Sequence, residues 1–152
     1  MTRASISQIS FADLEFRDQG VRLEPMLQAI SDFIDKHGHL VGDQALVTVA
    51  TLLKEGLRKY DVVGRYGGEE FALLLPETNL DGARVVAERY RGLIEGLSFT
   101  ASGLSLSLTA SFGVVSYPRD DIQGVDDLIR KADQALYGAK AAGRNKVSVS
   151  RP

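Results

Sequence analysis

The chain has 152 residues, 44% of them hydrophobic, with a formal net charge of -2. That length fits one globular domain with a core of its own, and the slightly acidic balance argues against a dedicated binder of nucleic-acid polymers. There is no cysteine, which excludes disulfides and thiolate metal sites. No apolar run approaches a membrane span and no signal-peptide pattern opens the chain, in keeping with a cytoplasmic location.

Residues 7–16 alternate in part and predict a first strand. Leu23, Met26, Leu27, Ile30, Phe33 and Ile34 follow helical spacing over 23–35, and Ala45, Leu46, Val49, Leu52, Leu53 and Leu57 repeat it over 44–58. Val62-Val63 and Phe71 to Leu75 are apolar runs split by Gly67-Gly68, the pattern of a β-hairpin. Thr78-Asn79-Leu80-Asp81 matches a capping box opening a helix that carries Ala83, Val86, Ala87, Tyr90, Leu93 and Ile94. Residues 105–117 predict one strand, and 124–142 a helix with Val125, Leu128, Ile129, Ala132, Ala135, Leu136 and Ala139 on its stripe. Val147 and Val149 suggest a closing strand. With no internal repeat or linker, the expectation is an α/β (α+β) domain, a mainly antiparallel sheet flanked by helices.

The hairpin tip carries the most chemistry. Gly67 and Gly68 permit positive φ and leave the backbone bare for close approach of a ligand. Glu69 and Glu70 follow, and neighbours on a strand point to opposite faces. One can therefore face a metal and the other a proton or a partner. A polar tip without function is the alternative.

Residues 65–71, Arg65-Tyr66-Gly67-Gly68-Glu69-Glu70-Phe71, resemble the signature of the GGDEF family, the diguanylate cyclases, in its Gly-Gly-Glu-Glu-Phe form. Three more elements of that family follow its order. Gly38-His39-Leu40-Val41-Gly42-Asp43 resembles G-H-x-x-G-D, Arg58-Lys59-Tyr60-Asp61 resembles the R-x-x-D product-inhibition site, and residues 135–147 resemble A-L-Y-x-A-K-x-x-G-R-N-x-V. The resemblance is close from about residue 33 to 150 and implies a nucleotidyl-cyclase fold similar to a polymerase palm, spanning 1–152 as one domain.

It also implies condensation of two GTP into cyclic di-GMP by a homodimer with Mg2+ (or Mn2+), and a sensory or regulatory domain in the full protein. The implied metal ligands are Asp13, the carbonyl of Leu14, and Glu69, with Glu70 as base. Phe11-Ala12-Asp13-Leu14-Glu15-Phe16 looks like the family's metal strand, but the spacing to Gly38 is longer than the family's. An insertion around 17–33 accounts for that; counting back without one places Met26 there, and a thioether is a poor magnesium ligand. The family's guanine-reading Asn-Asp pair falls on Ile34 and Asp35, and isoleucine cannot hydrogen-bond a base. His39 and Asp43 match further substrate contacts; Asp43 could equally be the N-cap of the 44–58 helix, and His39 a turn residue. Lys140 and Arg144 match the triphosphate grip, while Gly143 reads as a helix C-cap with cations suited to that end. Arg58 and Asp61 read as the inhibitory site or as a surface ion pair. The rival functional reading is a degenerate domain that binds GTP or cyclic di-GMP without turnover.

Overall fold

The computed structural model describes residues 6–11, 15–18, 39–65, 70–101 and 104–152, and side-chain surroundings within 44–64, 70–97 and 109–152. The described strands are β1 (Ile6–Phe11), β2 (Glu15–Asp18), β3 (Val62–Arg65), β4 (Phe71–Pro76), β5 (Ser98–Ala101), β6 (Leu104–Thr109), β7 (Phe112–Tyr117) and β8 (Val147–Val149). The helices are α1 (His39–Glu55), α2 (Leu80–Glu95) and α3 (Val125–Ala141). One sheet has the order β3-β4-β1-β7-β8 and a smaller one β2-β6-β5. Every pairing is antiparallel except β7 with β8. No helix among the described residues is long and apolar enough to cross a membrane.

Helices cover both faces of the large sheet. Ala45, Val49 and Leu53 of α1 and Ala83, Ala87, Tyr90 and Ile94 of α2 join Phe71, Leu73, Leu75, Phe112 and Val114 in the main core. The other face of β7 presents Val115 to Leu128 and Ala132 of α3, closed by Ile122. β7 is therefore buried on both sides, which its continuous apolar run requires. The Tyr90 hydroxyl donates to the Leu53 carbonyl at 2.7 Å, so the buried phenol keeps a partner, and burial pushes its pKa up.

Five expectations are corrected. Residues 105–117 are two strands in different sheets, β6 and β7, broken at buried Ala110-Ser111. Leu106, Leu108, Ala110, Phe112 and Val114 keep one alternating phase through the corner, so periodicity could not reveal it. The predicted first strand is likewise divided: β1 is central to the large sheet and β2 pairs with β6. Helix α1 starts at His39, so Asp43 lies inside it and is not its N-cap. The N-cap of α2 is Asn79, whose Oδ1 accepts from the Gly82 amide at 2.8 Å. Thr78 is drawn away because its Oγ1 accepts from Arg58 and donates to the Pro76 carbonyl. Val125, counted in the apolar stripe of α3, is 70% exposed. Residues 17–18 of the expected insertion belong to β2, and the rest of it and the 23–35 helix lie outside the described residues.

A polar clamp ties the chain's last residues to this frame. Arg119 Nη1 donates to the Ser150 carbonyl at 2.6 Å, while its Nε and Nη2 donate to Asp121. Lys131 of α3 adds an ion pair to Asp121 at 3.1 Å. The Arg119 hydrogen bonds, with Lys131, hold the Asp121 carboxyl at about 2, below its ordinary 3.8. A carboxyl depressed by folding stabilises fully above its unfolded pKa and loses that contribution as pH falls. Asp121→Asn should therefore flatten the fall in melting temperature between pH 3.8 and about 2. Identical acid limbs in the two proteins would remove the clamp from the stability account.

Candidate active site

Sheet register aligns the end of β1 with the base of the hairpin. Phe11, the last residue of β1, pairs with Phe71, the first of β4, and Phe71 pairs with Arg65, the last of β3. The end of β1 and the base of the hairpin are thus one row across the sheet. Glu70 immediately precedes Phe71 and is half-buried. Phe71 also walls a cleft of about 570 Å³ with Leu46, Ala50, Lys54 and Val63, within the range that holds small ligands.

Helix α3 is aimed at the same end. Gly113 of β7, the partner of Ser10, lies against the backbone of Ala132 and Leu136. Lys140 is one turn beyond Leu136, on a helix that passes β1 toward that end of the sheet. The helix then stops. Gly143 has φ +115, its amide reaches the Lys140 carbonyl at 3.2 Å, and the Arg144 amide reaches the Ala139 carbonyl at 3.1 Å. Arg144 and Asn145 follow at φ 63 and 50, the left-handed region that arginine rarely occupies. Such strain persists only where surrounding structure fixes it. Asn145 donates its amide to Ser111 at 3.0 Å, and the Phe112 amide bonds the Lys146 carbonyl at 2.9 Å, which sets the Arg144 turn at the start of β7.

Asp13, Leu14, Asp35, Gly67, Gly68 and Glu69 lie outside the described residues. His39 and Asp43 occupy backbone positions one turn apart in α1. Among the described residues no group of three or more metal-ligating side chains occurs.

Arg58 and Asp61 stand at the other end of the hairpin. Arg58 donates through Nε and Nη2 to Asp61, both at 3.2 Å, and the Arg58 amide donates to Asp61 at 2.9 Å. Its Nη2 also reaches the Pro76 carbonyl and Thr78 Oγ1. Hydrogen bonding to Asp61 raises the guanidinium pKa above its ordinary value. Pro76 closes β4, whose six residues at ~3.3 Å each put this group roughly 20 Å from Glu70. Arg89, which the motifs did not single out, donates to the Gly56 carbonyl at 3.0 Å and so lies beside the same α1 exit. Only a long-range contact from α2 exposes it; no local pattern in the sequence does.

The chain matches the family described as "Diguanylate cyclase, GGDEF domain" over residues 26–146, a span that begins after β1. It is 40% identical over 117 residues to Diguanylate cyclase A of Treponema denticola, covering 77% of this chain and 31% of that protein. The fold is similar to that of diguanylate cyclase SiaD of Pseudomonas aeruginosa, solved with its activator SiaC, with a TM-score of 0.77 and 34% identity; 95% of this chain and 50% of that one are covered. An active GGEEF domain of a Vibrio cholerae diguanylate cyclase aligns with a TM-score of 0.75 and 29% identity over 97% of this chain and 84% of that one. The chain spans about a third or less of the length of the curated relatives it matches. With the family match covering most of its residues and the palm-like sheet carrying its motifs, this chain belongs to the GGDEF domain family.

Proposed function

We propose that the chain is the catalytic domain of a diguanylate cyclase, condensing two GTP into cyclic di-GMP and two pyrophosphates with Mg2+ (or Mn2+). The observation that carries this reading is the convergence of the β1 end, the hairpin base and the Lys140–Arg144 turn on one end of the sheet. In sequence, Asp13 lies two residues after Phe11 and Glu69 two residues before Phe71, and Phe11 and Phe71 are paired across the sheet. Two carboxylates and the Leu14 carbonyl are hard oxygen donors that suit Mg2+, and the half-buried Glu70 is the next residue after Glu69. A divalent cation there would neutralise charge building on the α-phosphate oxygens. Glu70 takes the 3′-hydroxyl proton, that oxygen bonds the α-phosphorus of the other GTP, and the bond to pyrophosphate breaks. Lys140 and Arg144 hold the triphosphate, and Gly67 and Gly68 let the backbone approach it. His39, Asp43 and Asp35 are the proposed contacts of the base.

Each chain supplies one half-site, and a twofold product calls for a C2 dimer with two hairpins facing each other. Pyrophosphate release per chain should therefore rise with protein concentration. GTP binding with no release at any concentration would favour the binding-module reading, to which Ile34 lends support.

Cyclic di-GMP is proposed to bind at Arg58 and Asp61, with Arg89 as a second guanidinium. Arginine forks onto guanine or phosphate, and aspartate accepts from the guanine donor edge. Because this group lies roughly 20 Å along β4 from Glu70, inhibition need not touch the GTP pocket. Arg58→Ala should weaken product binding by about tenfold or more and leave GTP binding nearly unchanged, as calorimetry with each ligand reports. Equal product affinity in both proteins would leave Arg58 only its bonds to Asp61, Pro76 and Thr78.

A further inference from the structure

We propose that Arg91 of α2 is a positioning residue for triphosphate binding, acting through Asn145 on the turn that presents Arg144. The inference rests on the reading of Arg144 as a phosphate contact. Arg91 Nε donates to Glu88 at 2.9 Å and Nη1 to Glu95 at 2.8 Å, so two carboxylates of its own helix orient the guanidinium. Nη1 also reaches across to Asn145 Oδ1 at 3.1 Å. Asn145 is held a second time by Ser111, which is 1% exposed, and the next residue bonds β7. Arg144 sits between the end of α3 and this doubly anchored asparagine, at a φ it would not adopt unaided. Hydrogen bonds to charged groups are the strong ones, and the Arg91 side chain is only 23% exposed. Without it, residue 145 keeps its Ser111 bond but loses its side-chain anchor, and Arg144 is free to rotate away from the sheet end.

The test uses 3′-deoxy-GTP and 3′-deoxy-GMP with magnesium, nucleotides that bind but cannot condense. Arg91→Ala should weaken the triphosphate by about tenfold and the monophosphate by less than about twofold. Adding Arg144→Ala to it should weaken the triphosphate no further than Arg144→Ala alone. Asn145→Gly keeps Arg91 and tolerates positive φ, so it should reproduce the triphosphate-selective loss even if Arg91→Ala fails to fold. Equal weakening of both nucleotides, or of neither, in Asn145→Gly would overturn the inference while leaving Arg144 its role. An Arg144→Ala protein with wild-type triphosphate affinity would overturn the phosphate reading and this inference with it.

Discussion

Glu69→Gln is expected to reduce cyclic di-GMP formation by a factor on the order of 10² to 10³. The substitution preserves size and hydrogen-bonding capacity but removes the negative charge from a proposed magnesium ligand. Loss of a ligand that stabilises developing phosphate charge appears in turnover more than in nucleotide binding. The register makes a paired expectation: Asp13→Asn should fall by a similar factor, because residue 13 follows the Phe11–Phe71 row as Glu69 precedes it. Met26→Leu should keep wild-type turnover. Measured pyrophosphate release decides the set. Wild-type turnover in Glu69→Gln would remove Glu69 from the metal role, and loss in Met26→Leu with retention in Asp13→Asn would defeat the insertion after the first strand.

Gly113→Ala is expected to be the most destabilising single methyl in the described chain. A β-carbon there would overlap the carbonyl of Ala132 and the amide of Leu136, and would stand 2.9 Å from Leu136 Cα. These are backbone atoms of α3, so no rotamer change relieves the clash. Either α3 lifts from β7, exposing Leu128, Ala132 and Leu136, or β7 moves and disturbs β1 and β8, its hydrogen-bonded partners. Overpacking of this kind costs about 3 kcal/mol or more, and at 2–4 °C per kcal/mol the melting temperature should fall by roughly 10 °C. Because α3 ends at Lys140 and the Arg144 turn, GTP affinity should fall in the protein that remains folded. A melting temperature unchanged from wild type would mean that helix and strand are not in the contact described.

The hairpin, the three described helices and the closing strand were legible because each rests on a local signal: paired apolar runs about Gly67-Gly68, stripes of period 3.6, and Gly143 at a helix end. The strand break at Ala110-Ser111 was not, because the alternation crosses it in phase. The start of α1 was hidden because Asp43 could read as its N-cap and apolar spacing begins only at Ala45. Thr78 looked like a cap until Arg58, 20 residues away, claimed its hydroxyl. In the candidate site, the motif residues were visible by type and spacing. That the end of β1, the base of the hairpin and the Lys140–Arg144 turn share one end of the sheet was not, since it depends on the β1–β4 and β1–β7 registers. Arg91 was least visible, because its contact with Asn145 spans 54 residues and belongs to no local pattern.

The cyclase reading is tested most directly by the products. The protein is incubated with GTP and magnesium, and the mixture is separated by liquid chromatography. The reading predicts cyclic di-GMP with two pyrophosphates per molecule formed, and none when a chelator removes the metal. GTP recovered intact from folded protein that binds it would contradict catalysis and leave a nucleotide-binding module.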